Sequence, residues 1–232
     1  MFRDLGAPRE PDAGPHAFRA LIGDGRWWSL RELGTARSYR PGEFLLRQGE
    51  RGGFVLAVTS GRVEVSAAAA DGAQVLLSFR AAGDLVGEMA ISSGVRSASV
   101  RAIERCTACC VPDGAFREFL LQCGAWDAFA DYLASKLSET VPHQVRQAHS
   151  TPLRRLSRML LEVLALAEHD RQDRMRIPLS QESLAGALGL ARSTVAEQIA
   201  KLRRVGALAP GPRLVVADVD RLAREAGNGP GE

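Results

Sequence analysis

The chain has 232 residues, 46% of them hydrophobic, and a net charge of +3. No stretch reaches the roughly 18 apolar residues of a membrane span, and the start of the chain lacks the apolar core of a secretion signal. We therefore expect a cytoplasmic protein with no membrane partner. Residues 1–25, charged and proline-rich at their start, are predicted to form a mobile tail.

The first folded segment, residues 26–122, has the pattern of an all-β domain. Glycines recur at short spacing, and short apolar runs lie between them: FVLAV (54–58), RVEV (62–65) and QVLLSF (74–79). Valines alternate with charged residues in RVEV, which is the period of a half-buried strand. Several short strands at near-regular spacing predict a barrel or sandwich. The run AAAADG (67–72) predicts a hairpin loop.

The chain has four cysteines: Cys106, Cys109, Cys110 and Cys123. Their spacing is compatible with a metal or iron–sulfur site. The segment RAIERCTACCV, however, predicts a strand that places Cys106 and Cys110 on one face and Cys109 on the other. Adjacent cysteines that point in opposite directions clamp a metal poorly, and free cysteine is a common core residue. We expect no metal.

Residues 123–150 change to the period of a helix. Apolar residues follow at intervals of three and four: Trp126, Phe129, Leu133, Leu137, Val141 and Val145. They form one stripe on a helix of roughly 35–40 Å. The stripe packs either on its own β domain or on a second copy of the chain, and we favour a homodimer. Pro142 lies inside the segment and predicts a kink or break near Val141.

Residues 151–226 predict a winged helix-turn-helix, followed by a tail at 227–232. Ser180 is suited to cap the first helix, Gly189 to form the turn, and the second helix begins near Arg192. LAPGPRLVV (208–216) predicts two short wing strands. The excess of basic residues falls in this part of the chain, as expected if only this part meets a polyanion. An ordinary helical hairpin with a solvated basic face is the alternative.

The second helix and the wing carry the candidate DNA contacts. Four residues are assigned to phosphates, which supply affinity but no sequence information: Lys201, Arg203, Arg204 and Arg213. Three others lie where base edges are read: Arg192, Ser193 and Glu197. Thr194, beside them in the first turn, is a further candidate DNA contact. Ala191 stands where Ser or Thr would cap the helix, at a cost of about 1 kcal/mol.

The run GDLVGEMAISSGVRSASVRA (83–102) has the residues that a cyclic nucleotide requires. Gly87 permits close backbone approach, and Glu88 supplies an acceptor for the ribose 2′-hydroxyl. Arg96 and Ser97 supply contacts to the exocyclic phosphate. Between them, a short helical turn that begins near Met89 and Ala90 would direct its amides inward.

These motifs resemble the CRP/FNR (catabolite-activator) family of bacterial transcription regulators. The resemblance runs from about residue 39 to 226 and depends on RPGEFLLRQGE (40–50), SGRVEV (60–65), and G-E-M-A with R-S-A in the run above. It implies an α+β fold: an N-terminal double-stranded β-roll like those that bind cyclic nucleotides, a long dimerisation helix, and the C-terminal winged helix-turn-helix.

The resemblance also implies two residues on the dimerisation helix. Thr140 falls where the family contacts the nucleotide base, and Lys136 where an arginine usually supports the glutamate that corresponds to Glu88. The segment from Gly87 to Arg96 is at least one residue shorter than in most cyclic-nucleotide binders. No cysteine precedes Cys106, which argues against the branch that holds an iron–sulfur cluster.

The sequence therefore predicts a homodimeric regulator, not an enzyme, that binds double-stranded DNA and answers to a cyclic nucleotide, cyclic AMP in preference to cyclic GMP. RNA polymerase is a further candidate partner. Two alternatives remain open. One is a regulator of the same family with a degenerate pocket that senses another signal or none, and the other is a cyclic-nucleotide sensor that acts through protein contacts without DNA.

Overall fold

The computed structural model describes residues 16–68, 74–148, 150–167 and 173–227, and for residues 139–148 it describes the backbone of a helix but not the side chains. The predicted contact of Thr140 and the stripe positions Val141 and Val145 therefore lie outside the described side chains. Residues 69–72, most of the predicted hairpin loop at 67–72, also lie outside the described residues.

The described residues form ten strands and nine helices. The strands are β1 (Thr35–Tyr39), β2 (Phe44–Leu46), β3 (Phe54–Ser60), β4 (Val63–Ala68), β5 (Gln74–Arg80), β6 (Leu85–Val86), β7 (Ser99–Ala102), β8 (Cys106–Pro112), β9 (Arg176–Ile177) and β10 (Leu214–Val215). The helices are α1 (Phe18–Ile22), α2 (Asp24–Glu32), α3 (Ala90–Ser93), α4 (Asp113–Gln122), α5 (Trp126–Ala148), α6 (Pro152–Ala165), α7 (Gln181–Leu188), α8 (Arg192–Arg204) and α9 (Val219–Glu225).

Strands β1 to β8 form the predicted β-roll. One sheet has the order β1-β8-β3-β6 and the other β2-β7-β4-β5, and every pairing is antiparallel. Their inner faces enclose a core that includes Leu56, Val63 and Val100. Cys106 lies in that core, whereas Cys109 on the same strand packs in a second cluster on the other face. The predicted alternation of the cysteines is thus confirmed, and all four thiols are free.

The second cluster joins α1, α2, α4 and α5 to the outside of the β-roll. Phe18 of α1 is fully buried there against the rings of Phe116, Phe129 and Tyr132. The prediction that the mobile tail extends to residue 25 is therefore wrong from Phe18 onward. A charged, proline-rich start predicts a tail, but burial of the large apolar area of Phe18 stabilises a folded position for this segment.

The apolar stripe of α5 is divided between two surroundings. Phe129 lies in the cluster just described and Leu133 packs against it, so this half of the stripe contacts the chain's own β-roll. Leu137, one turn further, has 66% of its surface exposed. The helix continues through Pro142 to Ala148, so the predicted break near Val141 is not found. Proline removes a single hydrogen bond of the ladder, and a long helix retains the others.

The C-terminal part has the predicted winged helix-turn-helix. The Ser180 hydroxyl accepts a hydrogen bond from the Ser183 amide at 3.0 Å and so caps α7. Gly189 forms the turn at φ +61°, and α8 begins at Arg192 without a side-chain cap. The wing hairpin closes with a bridge between Leu208 and Val216. Its strand β10 also pairs with β9, which the sequence did not predict.

The C-terminal part is docked on the β-roll of the same chain. Leu76 and Phe79 of β5, together with Ile103, belong to the same buried cluster as the apolar residues of α6, α7 and α8. Beside them the guanidinium of Arg62 binds both carboxylate oxygens of Glu104 at 2.8 and 3.1 Å. It also donates to the main-chain carbonyl of Val163, near the end of α6, at 2.7 Å.

None of the helices in the described ranges is long and apolar enough to cross a bilayer.

Candidate ligand pocket and DNA-reading surface

A small cavity lies where the sequence places the nucleotide. Its volume is about 60 Å³. The walls include six of the residues predicted to bind ligand: Gly87, Glu88, Met89, Ala90, Arg96 and Ser97. The opposite walls come from the β-roll interior: Leu46, Val65, Arg80, Leu85, Val86, Ala98 and Val100. The structure thus gathers these six residues around one cavity, while their role in binding stays a prediction.

Arg96 fills much of this space. Its side chain is buried, and its guanidinium donates to the carbonyl oxygens of Gly87 and Phe54, both at 2.7 Å, above the ring of Phe54. Gly87 has φ +82°, and a Cβ there would overlap this guanidinium. Glycine is needed at this position both for its backbone conformation and for the close approach of Arg96. In this arrangement the arginine is satisfied by backbone and is not presented to a phosphate.

Glu88 lies at the inner wall in an apolar and partly charged environment. Burial raises the pKa of its carboxyl, and repulsion from the Asp84 carboxylate adds to this shift. A backbone hydrogen bond and the nearby cations Arg80 and Lys136 act in the opposite direction. Burial disfavours the charged form of a carboxyl, and the cations and the backbone hydrogen bond offset only part of that penalty.

The ammonium of Lys136 lies 3.1 Å from a carboxylate oxygen of Asp84, and both side chains are largely buried. Asp84 directly precedes β6, and its ion pair with Lys136 was not predicted from the sequence. The resemblance predicted that Lys136 supports Glu88, and this role stays a prediction; the charge of Lys136 acts to lower the pKa of Glu88.

Tyr132, one turn before Lys136 on α5, holds the same strand. Its hydroxyl accepts from the Leu85 amide at 3.0 Å and lies 2.9 Å from the Leu85 carbonyl oxygen and 3.3 Å from Asp84. Burial raises the pKa of this phenol well above its usual value, and the carboxylates of Asp84 and Glu88 raise it further. The sequence analysis missed Asp84 and Tyr132; the tyrosine at helical spacing between Phe129 and Leu133 was the available signal.

The raised pKa of Glu88 predicts a pH-dependent stability. The folded chain holds this proton more tightly than the unfolded chain, so its stability falls as pH rises from the usual carboxyl range through the raised pKa. Glu88→Gln removes this dependence. We expect the melting temperature of the variant to match that of the wild type near pH 4 and to exceed it near pH 7. Glu118→Gln, at an exposed site on α4, controls for the lost charge, and a difference that does not change with pH would contradict the assignment.

The predicted DNA contacts lie on α8 and the wing. Arg192, Ser193, Arg204 and Arg213 are exposed. Within the described residues the three arginines take part in no ion pair or hydrogen bond. Thr194 is half-buried in the first turn of α8, and Val195, Ile199 and Leu202 are buried on the opposite side, as predicted.

Three of the predicted contacts have partners within the protein. Lys201 and Glu197 form an ion pair at 2.9 Å along the surface of α8. Arg203 donates from its guanidinium to the carbonyl oxygen of Gly211 and so ties the wing to the helix. Arg203 therefore has a structural role that the sequence did not indicate, whereas Arg204 and Arg213 remain available for phosphate.

Comparison with known proteins finds two family models in this chain. A cyclic nucleotide-binding domain matches residues 36–123, and a Crp-like helix-turn-helix domain matches residues 154–225. The CRP-like cAMP-activated global transcriptional regulator of Mycobacterium tuberculosis is 24% identical over 197 residues, which cover 80% of this chain and 85% of that protein. The transcriptional activator protein FnrL of Cereibacter sphaeroides is 26% identical over 216 residues, 86% and 84% of the two chains.

Solved structures show the same fold. A CRP-family transcriptional regulator from Thermus thermophilus has a TM-score of 0.69 at 23% identity, covering 82% of this chain and 96% of that one. The c-di-GMP responsive global regulator CLP of Xanthomonas campestris has a TM-score of 0.67 at 22% identity, covering 84% and 99%.

Proposed function

We propose, for a chain that belongs to the CRP/FNR family of DNA-binding transcription regulators, that it acts as a homodimer whose affinity for DNA is set by a cyclic nucleotide in the β-roll. The family consists of transcription regulators and not of enzymes. The cyclic nucleotide-binding domain and the Crp-like helix-turn-helix domain occur here in one chain. Contact with RNA polymerase belongs to the same proposal.

The observation that carries the proposal is the contact between the pocket and α5. Asp84 and Leu85 precede Gly87 and Glu88 on the same short segment, and α5 holds them through Lys136 and Tyr132. A ligand that moves this segment must also break or rearrange the ion pair of Lys136 and the hydrogen bonds of Tyr132. Since a ligand shifts an equilibrium only through its different affinities for two states, this contact supplies a physical route from pocket to helix.

A second copy of the chain is the proposed partner of the C-terminal half of α5, from Leu137 onward. Leu137 is exposed in a helix whose preceding apolar residues are covered by the β-roll. Large exposed apolar side chains that continue a buried stripe are typical of helix–helix interfaces. A dimer would place two copies of α8 on successive turns of the same face of DNA.

Cyclic AMP is the proposed effector, with cyclic GMP as the comparison. The M. tuberculosis relative is described as cAMP-activated, which supports the choice of ligand. Gly87, Glu88, Arg96 and Ser97 supply the chemistry for ribose and phosphate, and Thr140 is the proposed contact to the base. The pocket must open to accept a nucleotide, because about 60 Å³ is far below the roughly 300 Å³ of small ligand sites.

Calorimetric titration with cyclic AMP and with cyclic GMP tests the effector. We expect heat and a raised melting temperature with cyclic AMP, a weaker response with cyclic GMP, and tighter DNA binding in a mobility-shift assay with ligand present. The assay is repeated at two salt concentrations, because phosphate contacts make DNA affinity fall steeply with salt. Absence of heat and of any thermal shift at millimolar ligand would exclude the effector claim while leaving DNA binding untouched.

A second candidate function is DNA binding without a cyclic nucleotide. The favouring observation is that Arg96 is buried and bonded to two carbonyl oxygens. Arg96→Ala separates the two candidates: if DNA affinity with and without cyclic AMP is the same as in the wild type, the pocket has no effector role. A melting curve of the variant must accompany the assay, since the change also removes two buried hydrogen bonds and their contribution to stability.

A further inference from the structure

A second, larger cavity lies between the β-roll and the winged helix. Its volume is about 660 Å³, within the usual range of small-molecule sites. The β-roll contributes the turn that holds Glu104 and Arg105. The winged helix contributes the first turns of α7 and α8, strand β9 and the tip of the wing. This cavity is distinct from the one around Arg96 and Glu88, with which it shares no residue.

The lining of the interdomain cavity carries an excess of positive charge. It contains five arginines and three carboxylates: Arg62, Arg105, Arg176, Arg192 and Arg213, with Glu104, Asp173 and Glu182. Arg62 is neutralised by Glu104, and Arg176 lies 3.9 Å from Asp173. Among the described residues, Arg105, Arg192 and Arg213 have no ion pair or hydrogen bond from their side chains.

The fold holds Arg105 in place beside this cavity. Ile103, two residues before it, is buried in the interdomain core, and Glu104 is fixed by Arg62. Gly61 has φ +77°, and a Cβ at that position would overlap the carbonyl oxygen of Arg105. The backbone of this turn is therefore closely packed, and the exposed side chain of Arg105 lines the same cavity as Arg192 and Arg213 of the winged helix.

We propose that the interdomain cavity binds phosphate through Arg105 of the β-roll together with Arg192 and Arg213 of the winged helix. The inference rests in part on the proposed function, which assigns those two residues to DNA. Guanidinium groups bind phosphate through paired hydrogen bonds, and three without partners at one cavity favour an anion with more than one charge. The phosphate comes either from the DNA backbone or from a small phosphate-bearing molecule, and the chemistry is the same in both cases.

The two sources have different consequences. If DNA supplies the phosphate, Arg105 adds a β-roll contact to those that the winged helix makes with DNA. DNA affinity then depends directly on the distance between the β-roll and the winged helix. If a small molecule supplies it, the molecule occupies Arg192 and Arg213 and competes with DNA. Either outcome makes the placement of the winged helix on the β-roll part of the regulation.

The test uses the full chain with Arg105→Gln, Glu182→Gln and, as a matched control, Arg26→Gln, which removes an exposed arginine of α2 far along the chain from the cavity residues. Inorganic pyrophosphate is titrated first, without DNA. We expect Arg105→Gln to bind it about three- to fivefold more weakly than the wild type, and Arg26→Gln to be unchanged. Glu182→Gln removes a carboxylate from the lining and is expected to strengthen binding.

Duplex DNA is the second arm and distinguishes the sources. A backbone contact predicts that Arg105→Gln reduces the slope of log affinity against log salt by about one per protomer, with Arg26→Gln unchanged. A small-molecule site predicts unchanged DNA affinity in Arg105→Gln, with pyrophosphate displacing DNA from the wild type more readily than from the variant.

The proposal is overturned if Arg105→Gln and Arg26→Gln agree with each other in pyrophosphate affinity, in salt slope and in competition. A wild-type chain that binds no DNA would instead contradict the proposed function, and the pyrophosphate arm would still decide on the cavity.

Discussion

Replacing Arg62 with methionine is expected to lower the free energy of unfolding by about 3 to 5 kcal/mol. Arg62 is 4% exposed, its guanidinium pairs with Glu104, and it donates to the carbonyl of Val163. Methionine retains most of the volume but leaves the Glu104 carboxylate without its main cation and the carbonyl without this donor. Urea unfolding at one fixed protein concentration measures the change.

The matched control is Arg101→Met on β7, which pairs with β4, the strand that begins directly after Arg62. Arg101 pairs with Glu64 at 2.7 Å, a distance close to that of the Arg62 pair, but its side chain is 35% exposed. Glu64 itself is buried, with 9% of its side chain exposed, so this variant also leaves a carboxylate without its cation. Because water reaches the arginine end of the pair, we expect a smaller loss than in Arg62→Met. Equal losses in the two variants would show that burial of the Arg62 pair has no special importance.

A double variant separates the pair from the docking of the two domains. Arg62→Met with Glu104→Leu removes both charges, and such replacements are often neutral because no charge is left buried alone. We expect the double variant to recover most of the stability. Because Leu76, Phe79 and Ile103 would still join the two parts, its unfolding should remain a single transition; two separate transitions would mean that Arg62 and not the apolar contact holds the parts together.

The sequence was informative where one period dominates a segment. The alternation around Val63 and Val65 placed β4 correctly, and the spacing of Val195, Ile199 and Leu202 identified the buried side of α8. In both cases the positions that the local hydrophobic period makes apolar are also the positions that the tertiary core buries.

The α5 stripe shows what a period cannot decide. Phe129 and Leu137 belong to the same apolar row, yet the first is in the core beside Phe18 and the second is exposed. A helical period indicates which face is apolar but not what covers it. The covering here comes from α1, a segment that the sequence analysis assigned to a tail.

The pocket shows a similar limit, because sequence spacing locates charged residues but does not show which of them pair or are buried. Gly87, Glu88, Arg96 and Ser97 were found from the residue types that phosphate and ribose require. Lys136 was on the correct helix, but its ion pair with Asp84 could not be predicted, since it depends on a few ångströms of tertiary distance. Asp84 was visible four residues before Glu88, but nothing in the spacing indicated that its carboxylate would be buried.

Replacing Leu137 with glutamate is expected to convert the proposed dimer to a monomer and to weaken DNA binding about 100-fold or more. A charge at the centre of a helix–helix interface must be desolvated without a partner, which opposes association. A monomer has one winged helix-turn-helix, and it loses the gain in effective concentration that a second, linked DNA-binding domain provides. Light scattering after size exclusion measures the first effect, and a mobility shift on a palindromic duplex measures the second.

Leu121→Glu is the matched control, because Leu121 is also a leucine on a helix and is 68% exposed, nearly the same as Leu137. It lies on α4, away from the α5 stripe, so the same new charge should leave both the mass and the DNA affinity unchanged. The two variants also separate the halves of the proposal. If Leu137→Glu becomes monomeric but keeps its DNA affinity, then one copy of α8 is sufficient and dimerisation has another purpose. If it stays dimeric, the second copy binds elsewhere, and the exposed end of the stripe needs a different partner.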